Sequence, residues 1–159
     1  MRHPDHPFTL FIERTLAAPR SKVWRCWTEP ELLEQWYCPK PWQAREVELN
    51  LKPGGRFNSV FYGPEGERMP LTGIFLEIVP QERLIFTDAY SEGFFPRAES
   101  FMTGTVELSD TNDGATRMIW SARHASEDTV KQHIEMGFEQ GWNAAANQLE
   151  AHFDVLLDG

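Results

Sequence analysis

Three polar residues, Asp88, Tyr90 and His124, stand among large apolar side chains in strand-like stretches and could carry acid-base chemistry. Asp88 and Tyr90 follow Phe86 at steps of two, and His124 follows Trp120 at the same even spacing. Side chains at even spacing share one face of a strand. A carboxylate buried on such a face has a raised pKa and can move a proton as acid or base. The alternative is that Asp88 and His124 end their strands and are solvated, as single ionisable residues usually are.

Aromatic side chains make up 13% of the chain, and several lie beside glycines or prolines, where the rim of a pocket is expected. The candidates for an aromatic rim or wall are Trp36, Trp42, Phe94, Phe95 and Phe101. For any single one of them, the alternative is a place in an ordinary hydrophobic core.

Other kinds of site find little support in the sequence. A Ser-His-Asp triad would call for a nucleophile elbow, which is not seen. His133 and His152 are far apart on a predicted helix, so no metal site is predicted. Gly54 and Gly55 lie between two predicted strands without the following Lys-Ser or Lys-Thr of a phosphate loop, and indicate a turn. We therefore predict neither a metal nor a cofactor.

Composition narrows the partners and the compartment. The 159 residues suit one domain, and the net charge of -9 leaves no basic stripe for nucleic acid or anionic membranes. No stretch is long and apolar enough to insert into a bilayer, and the first residues lack the apolar core of a signal peptide. We expect a cytoplasmic protein in which Cys26 and Cys38 are free thiols. A homodimer is possible.

Hydrophobic periodicity predicts an α+β fold. An alternating strand over residues 8–16 precedes two short helices, and six further period-two stretches are joined by turns. The later strands are predicted over residues 42–51, 56–62, 71–79, 84–90, 100–108 and 115–124. Consecutive strands with tight turns form an antiparallel sheet, which has to cover its apolar face.

One long helix is predicted over residues 126–157 to cover that face. Ser126 suits its N-cap, and apolar residues recur at steps of three and four. Gly137 and Gly141 lie on or beside the apolar face, where each costs about 1 kcal/mol relative to Ala. They indicate either close packing of the helix on the sheet or room for a ligand. We predict that the cavity lies between this helix and the sheet.

Several motifs resemble the AHSA-like proteins, which are named for activators of a heat-shock-protein ATPase. In order, they are Val23-Trp24, Trp27-Thr28-Glu29-Pro30-Glu31-Leu32-Leu33, Trp36, Leu51-Lys52-Pro53-Gly54-Gly55-Arg56-Phe57, Leu71-Thr72-Gly73, Pro80-Gln81-Glu82-Arg83-Leu84-Ile85-Phe86-Thr87 and Gly137-Phe138-Glu139-Gln140-Gly141-Trp142. These proteins belong to the START, or polyketide cyclase (SRPBCC), superfamily. The resemblance implies a helix-grip fold, a curved antiparallel sheet of about seven strands around a long C-terminal helix, with a deep cavity for apolar ligands. One departure is Cys38, where relatives usually carry a glycine.

These observations predict a single START-like domain over residues 8–157, preceded by a flexible N-terminus at residues 1–7. The leading hypothesis is a binder of a small hydrophobic or aromatic ligand. The predicted ligand-binding residues are Trp36, Phe86, Tyr90, Trp120, Gly137, Gly141 and Trp142. An enzyme of the cyclase, dehydratase or hydrolase type, using Asp88, Tyr90 or His124, is the second hypothesis. A protein-interaction module like the chaperone activators is the third, and would need a large exposed apolar patch.

Overall fold

The computed structural model describes residues 1–151 and residue 153, which form ten strands and four helices. The strands are β1 (Thr9–Leu16), β2 (Gln43–Leu49), β3 (Phe57–Tyr62), β4 (Arg68–Leu71), β5 (Ile74–Val79), β6 (Arg83–Thr87), β7 (Tyr90–Ser91), β8 (Phe95–Pro96), β9 (Thr103–Asp110) and β10 (Thr116–Arg123). The helices are α1 (Arg20–Thr28), α2 (Pro30–Leu33), α3 (Glu127–Glu135) and α4 (Phe138–Ala151). This order confirms the predicted α+β class.

Two antiparallel sheets form one continuous surface. The main sheet has the order β1-β10-β9-β6-β5, and the second has the order β2-β3-β4. They join where the start of β3 meets β5. There the Phe57 N–H donates to the Gly73 carbonyl, and the Phe75 N–H donates to the Gly55 carbonyl, both at 2.9 Å. Because the second sheet continues past the β5 edge, the apolar faces of both sheets can surround one interior.

Two predicted strands are shorter than the sequence pattern suggested. The stretch predicted over residues 71–79 divides into the end of β4 and all of β5, with Thr72 and Gly73 between them. The stretch predicted over residues 84–90 ends as β6 at Thr87. Asp88 therefore lies beyond the strand, and Tyr90 belongs to the small hairpin that β7 forms with β8. The alternation of apolar and polar residues extends beyond the paired residues of these strands, so the sequence pattern predicted strands that are too long.

The predicted single long helix is instead two helices. Ser126 is the N-cap as predicted, and its side chain accepts a hydrogen bond from the Thr129 N–H. The first helix ends at Glu135, with Met136 as its C-cap, because Gly137 adopts φ +85°, a left-handed conformation that glycine adopts at no steric cost. The predicted end of the helix near residue 157 lies outside the described residues.

The hydrophobic core lies between the main sheet and the helices. Inward residues of the sheet include Ile12, Leu84 and Trp120, and they meet Trp27 of α1 and Leu149 of α4. All five are almost completely buried. The helices therefore cover the sheet face that the alternating pattern had marked as apolar.

The first residues of the chain return along β1. The amino group of Met1 donates to the Phe11 carbonyl at 2.8 Å, and Arg2 forms an ion pair with Glu127 at 2.7 Å. These contacts lie on the outside of the fold, away from the aromatic interior.

Candidate functional site

A cavity of about 130 Å³ opens between the second sheet and the end of β6. Rings and other apolar side chains make most of its wall, namely Tyr37, Phe57, Leu71, Phe86, Phe101 and Met102. Polar side chains stand at four positions, Ser59, Thr72, Thr87 and Asp88. Phe57 and Phe86 are buried, whereas Thr72 and Asp88 are half-buried. The floor of the cavity is therefore aromatic, and a carboxylate stands nearer its rim.

The register between β6 and β9 places the floor. Phe86 is the partner of Gly104, where a Cβ atom would lie only 2.3 Å from the Phe86 ring. Glycine at this position lets the ring lie across the neighbouring strand. The ring centroid of Phe86 then lies 4.8 Å from that of Phe57, so residues from the two sheets meet at the floor.

Tyr37 separates the cavity from the tryptophan-rich core. Its ring lies 6.0 Å from Phe57 on one side and stacks on Trp120, also at 6.0 Å, on the other. Trp120 stacks in turn on Trp142 at 4.2 Å. Burial raises the pKa of Tyr37, so its phenol stays neutral. A continuous aromatic layer thus runs from the cavity floor to α4.

Two buried indoles behind Tyr37 lack hydrogen-bond acceptors within the described part of the chain. These are the N–H groups of Trp27 and Trp120, whereas the Trp36 N–H donates to the Cys26 carbonyl at 3.0 Å. Such unpaired buried donors are uncommon in folded proteins. Trp27 meets the rings of Trp36 and Trp120 edge to face, which is the partial compensation that the packing offers.

Asp88 holds one edge of the cavity in place. Its carboxylate accepts hydrogen bonds from the Phe101 N–H at 2.8 and 2.9 Å and from the Met102 N–H at 3.2 Å. Phe101 and Met102 both line the cavity. The side chain that the sequence marked as a possible acid or base therefore also fixes the segment that forms the cavity wall.

A pair of histidines lies behind Phe101. His124 Nδ1 is 3.0 Å from the Phe101 carbonyl, and His124 Nε2 is 2.9 Å from His133 Nδ1. A carbonyl can only accept, so His124 carries its proton on Nδ1 and its Nε2 accepts from His133 Nδ1–H. Burial lowers the pKa of both residues, that of His133 to about 4. Both imidazoles are therefore neutral at pH 7.

The structure does not bring the three predicted catalytic residues together. Asp88 lines the cavity, but His124 lies behind Phe101, with the two ring centroids 5.0 Å apart. Tyr90 lies in β7 with its ring 6.1 Å from that of exposed Phe94. The common strand face expected for Asp88 and Tyr90 is absent because β6 ends before both residues.

The predicted ligand-binding residues lie at different depths. Phe86 lines the cavity, Trp36 and Trp120 are buried in the core, and Tyr90 lies in the β7–β8 hairpin. Gly137 breaks the helices, and a Cβ atom on Gly141 would meet Pro39 at 3.9 Å. Trp142 fills space between α4 and the sheet by stacking on Trp120. No residue of α3 or α4 lines this cavity, which is displaced from the predicted position toward the second sheet.

Of the predicted aromatic rim, Phe101 lines the cavity. Trp42 is half-buried elsewhere, and Phe94 and Phe95 are exposed.

The sequence interpretation missed Tyr37, Phe57 and His133 among others. The histidine pair could have been predicted from the short link between β10 and α3, because a short link keeps residue 133 near residue 124.

Other features of the described residues bear on the function. No group of three or more His, Cys, Asp or Glu residues is arranged there to hold a metal ion. Cys26 and Cys38 are separate buried thiols, with pKa values that burial raises to about 11 and about 12. No helix within residues 1–151 is long and apolar enough to cross a membrane. His152 lies outside the described residues.

The chain matches, over residues 17–154, the family described as Activator of Hsp90 ATPase homolog 1-like protein. A crystal structure of a Nitrosomonas europaea protein has 41% identity and a TM-score of 0.88, and the match covers 95% of this chain and 94% of that chain. A Mycobacterium smegmatis protein has 28% identity and a TM-score of 0.79, with 95% and 93% covered. An Arthrobacter aurescens protein, solved by NMR, has 27% identity and a TM-score of 0.79, with 92% and 86% covered. No match is found among curated proteins.

Proposed function

Because the chain belongs to the Activator of Hsp90 ATPase homolog 1-like family, we propose that it binds a small apolar or aromatic molecule in the cavity floored by Phe57 and Phe86. The observation that carries this proposal is a cavity of about 130 Å³ whose wall consists mostly of aromatic and other apolar side chains. Ligand sites in proteins are typically concave, mostly apolar and furnished with a few polar groups. The four polar positions of this wall fit that description.

The volume of the cavity favours a small ligand. An apolar cavity of about 150 Å³ admits benzene, whereas sites for drug-sized ligands occupy roughly 300–1,000 Å³. A cavity of about 130 Å³ therefore suits a single six-membered ring. A long acyl chain would fit only if the cavity became larger, for example by a movement of Tyr37 away from Phe57.

The test is an NMR titration of the ¹⁵N-labelled protein with p-cresol and, separately, with decanoate. We expect p-cresol to shift the amides of Ser59, Gly73, Thr87 and Met102, which surround the cavity, and decanoate to shift them much less. No saturable shift of these amides by any single-ring compound would refute the proposed function.

A cavity-filling variant supplies the control for location. Thr72→Phe places a ring at the cavity rim and should abolish the p-cresol shifts. Thr15→Phe makes the same change at an exposed position of β1, away from the cavity, and should leave them unchanged. Thermal unfolding of both variants establishes that each is folded under the titration conditions.

A further inference from the structure

Arg97 lies beside the cavity, where its side chain is hydrogen-bonded to two residues that line it. Its Nη1 donates to the Asp88 carbonyl at 2.7 Å and to the Thr72 carbonyl at 3.4 Å. Both residues line the cavity. Asp88 directly follows β6, and Thr72 lies in the connection between β4 and β5. The exposed guanidinium is thus held at the rim, tightly on one side and weakly on the other.

The positive charge of Arg97 is not neutralised within the described part of the chain. Eight of the eleven arginines form an ion pair with a carboxylate there, but Arg97 forms none. The two hydrogen bonds of its side chain both come from Nη1 and end on neutral carbonyls. Nε and Nη2, the edge that can hold both oxygens of a carboxylate, therefore have no partner among these residues.

The nearby acids do not take that edge. The Asp88 carboxylate is directed at the Phe101 and Met102 N–H groups, at 2.8 to 3.2 Å, and Arg97 contacts only the Asp88 backbone. Glu99 shares an open groove with Arg97, but no ion pair forms between them. An anion at the mouth would therefore meet a carboxylate that is already hydrogen-bonded and a guanidinium whose Nε and Nη2 edge is free among the described residues.

We propose that the ligand of the cavity is a single-ring aromatic carboxylate, with its ring on Phe57 and Phe86 and its anion on Nε and Nη2 of Arg97. The proposal rests on the proposed function and names the ligand class of that site. The ring accounts for the apolar volume, and the carboxylate accounts for the free edge of the guanidinium. The weak contact with the Thr72 carbonyl can yield as the anion enters, while the shorter contact with Asp88 keeps Arg97 in place.

The experiment compares benzoate with benzamide, its neutral isostere, and with benzylamine, which is cationic at pH 7.5. Each is titrated by NMR into the wild type, Arg97→Gln and Arg123→Gln. Arg123 is an exposed arginine of β10 that does not line the cavity, so its substitution makes the same change in net charge. Thermal unfolding of each variant confirms that it is folded.

We expect benzoate to bind the wild type about five- to tenfold more tightly than benzamide, because a charge-assisted pair at a half-exposed rim contributes on the order of a factor of ten or less. Arg97→Gln should remove that preference and leave benzamide affinity within about twofold, whereas Arg123→Gln should preserve it. Added KCl should weaken benzoate binding and not benzamide binding.

Three results would overturn the inference. Equal binding of benzoate and benzamide, unaffected by Arg97→Gln, would show a neutral ring site and leave the proposed function standing. Preferred binding of benzylamine would assign the rim to the Asp88 carboxylate instead. No binding by any of the three compounds, nor by p-cresol, would refute the proposed function and this inference together.

Discussion

His133 is an imidazole packed among aromatic rings, and its charge state is therefore tied to folding. The ring centroids of Phe101 and Phe138 lie 4.9 Å from that of His133, and that of Trp142 lies 5.6 Å away. Its one hydrogen bond to a described residue joins it to His124, which is held by the Phe101 carbonyl. A proton added to His133 would place a charge in this apolar setting, which explains why its pKa is low.

We predict that the protein loses stability as the pH falls from about 6.5 toward 4. The pKa of His133 is about 4 in the folded protein, against 6.5 for an ordinary histidine. Between these values the unfolded chain binds a proton that the folded chain does not, so the free energy of unfolding rises with pH across this window and is flat above it. His124, whose pKa burial also lowers, acts in the same direction.

The measurement is the melting temperature as a function of pH for the wild type and His133→Asn. The Asn side-chain nitrogen takes the position of Nδ1, so it can still donate to His124 but cannot be protonated. The variant should have a lower melting temperature at pH 7 and a shallower decline between pH 6.5 and 4. An unchanged slope would show that His133 does not titrate as described.

The break between α3 and α4 shows how one glycine changes an element. Gly137 has φ +85° and accepts the Gly141 N–H at its carbonyl, so it ends one helix and starts the next. Gly141, four residues on, lies inside α4, and the nearest atom to a Cβ there would be Pro39 Cγ at 3.9 Å. The two glycines are therefore present for different reasons, and neither marks the observed cavity.

Alanine at each glycine should change stability in opposite directions. Gly137→Ala forces a side chain into a left-handed conformation and should cost about 1–2 kcal/mol. Gly141→Ala meets ordinary contacts in a helix interior and should stabilise the protein by up to about 1 kcal/mol. Urea unfolding of the two variants beside the wild type measures both. Destabilisation by Gly141→Ala would mean that α4 packs more closely there than the structure shows.

At the scale of the whole molecule, a layer of aromatic side chains packs between α4 and the main sheet. Trp142 of α4 stacks on Trp120 of β10 and also packs on Phe138 and His133. Trp120 in turn stacks on Tyr37 at the cavity wall. Tyr37 thus belongs both to this layer and to the cavity wall, and α4 supports the wall indirectly, through the stacking of Trp142 on Trp120 and of Trp120 on Tyr37.

Removing the Trp142 ring should weaken the fold as a whole. We expect Trp142→Ala to cost about 2–4 kcal/mol, somewhat below the loss for a fully buried aromatic residue because Trp142 is half-buried. Trp42→Ala is the matched control, since Trp42 is also half-buried but packs outside the core cluster. Urea unfolding should show a clearly smaller loss for Trp42→Ala. Equal losses would contradict the stabilising role of the stack.

Local patterns in the sequence were sufficient for the fold class. Period-two stretches marked the main strands, and the family resemblance is confirmed by the match over residues 17–154. Patterns failed at element ends, as at Thr87 and Gly137, because alternation describes which face is apolar and not where the ladder of hydrogen bonds stops. Phe86, Phe101 and Asp88, which the sequence analysis named as candidates, line the cavity.

What the sequence determined by itself is the set of buried faces, since periodicity depends only on the backbone geometry of each element. What only the tertiary structure decided is which of those faces meet. Tyr37, Phe57, Phe86 and Phe101 come from four separate segments, and they enclose one cavity because β3 joins β5 and Asp88 holds the Phe101 backbone. Such contacts depend on strand register and on side chains distant in sequence, and no local pattern carries that information.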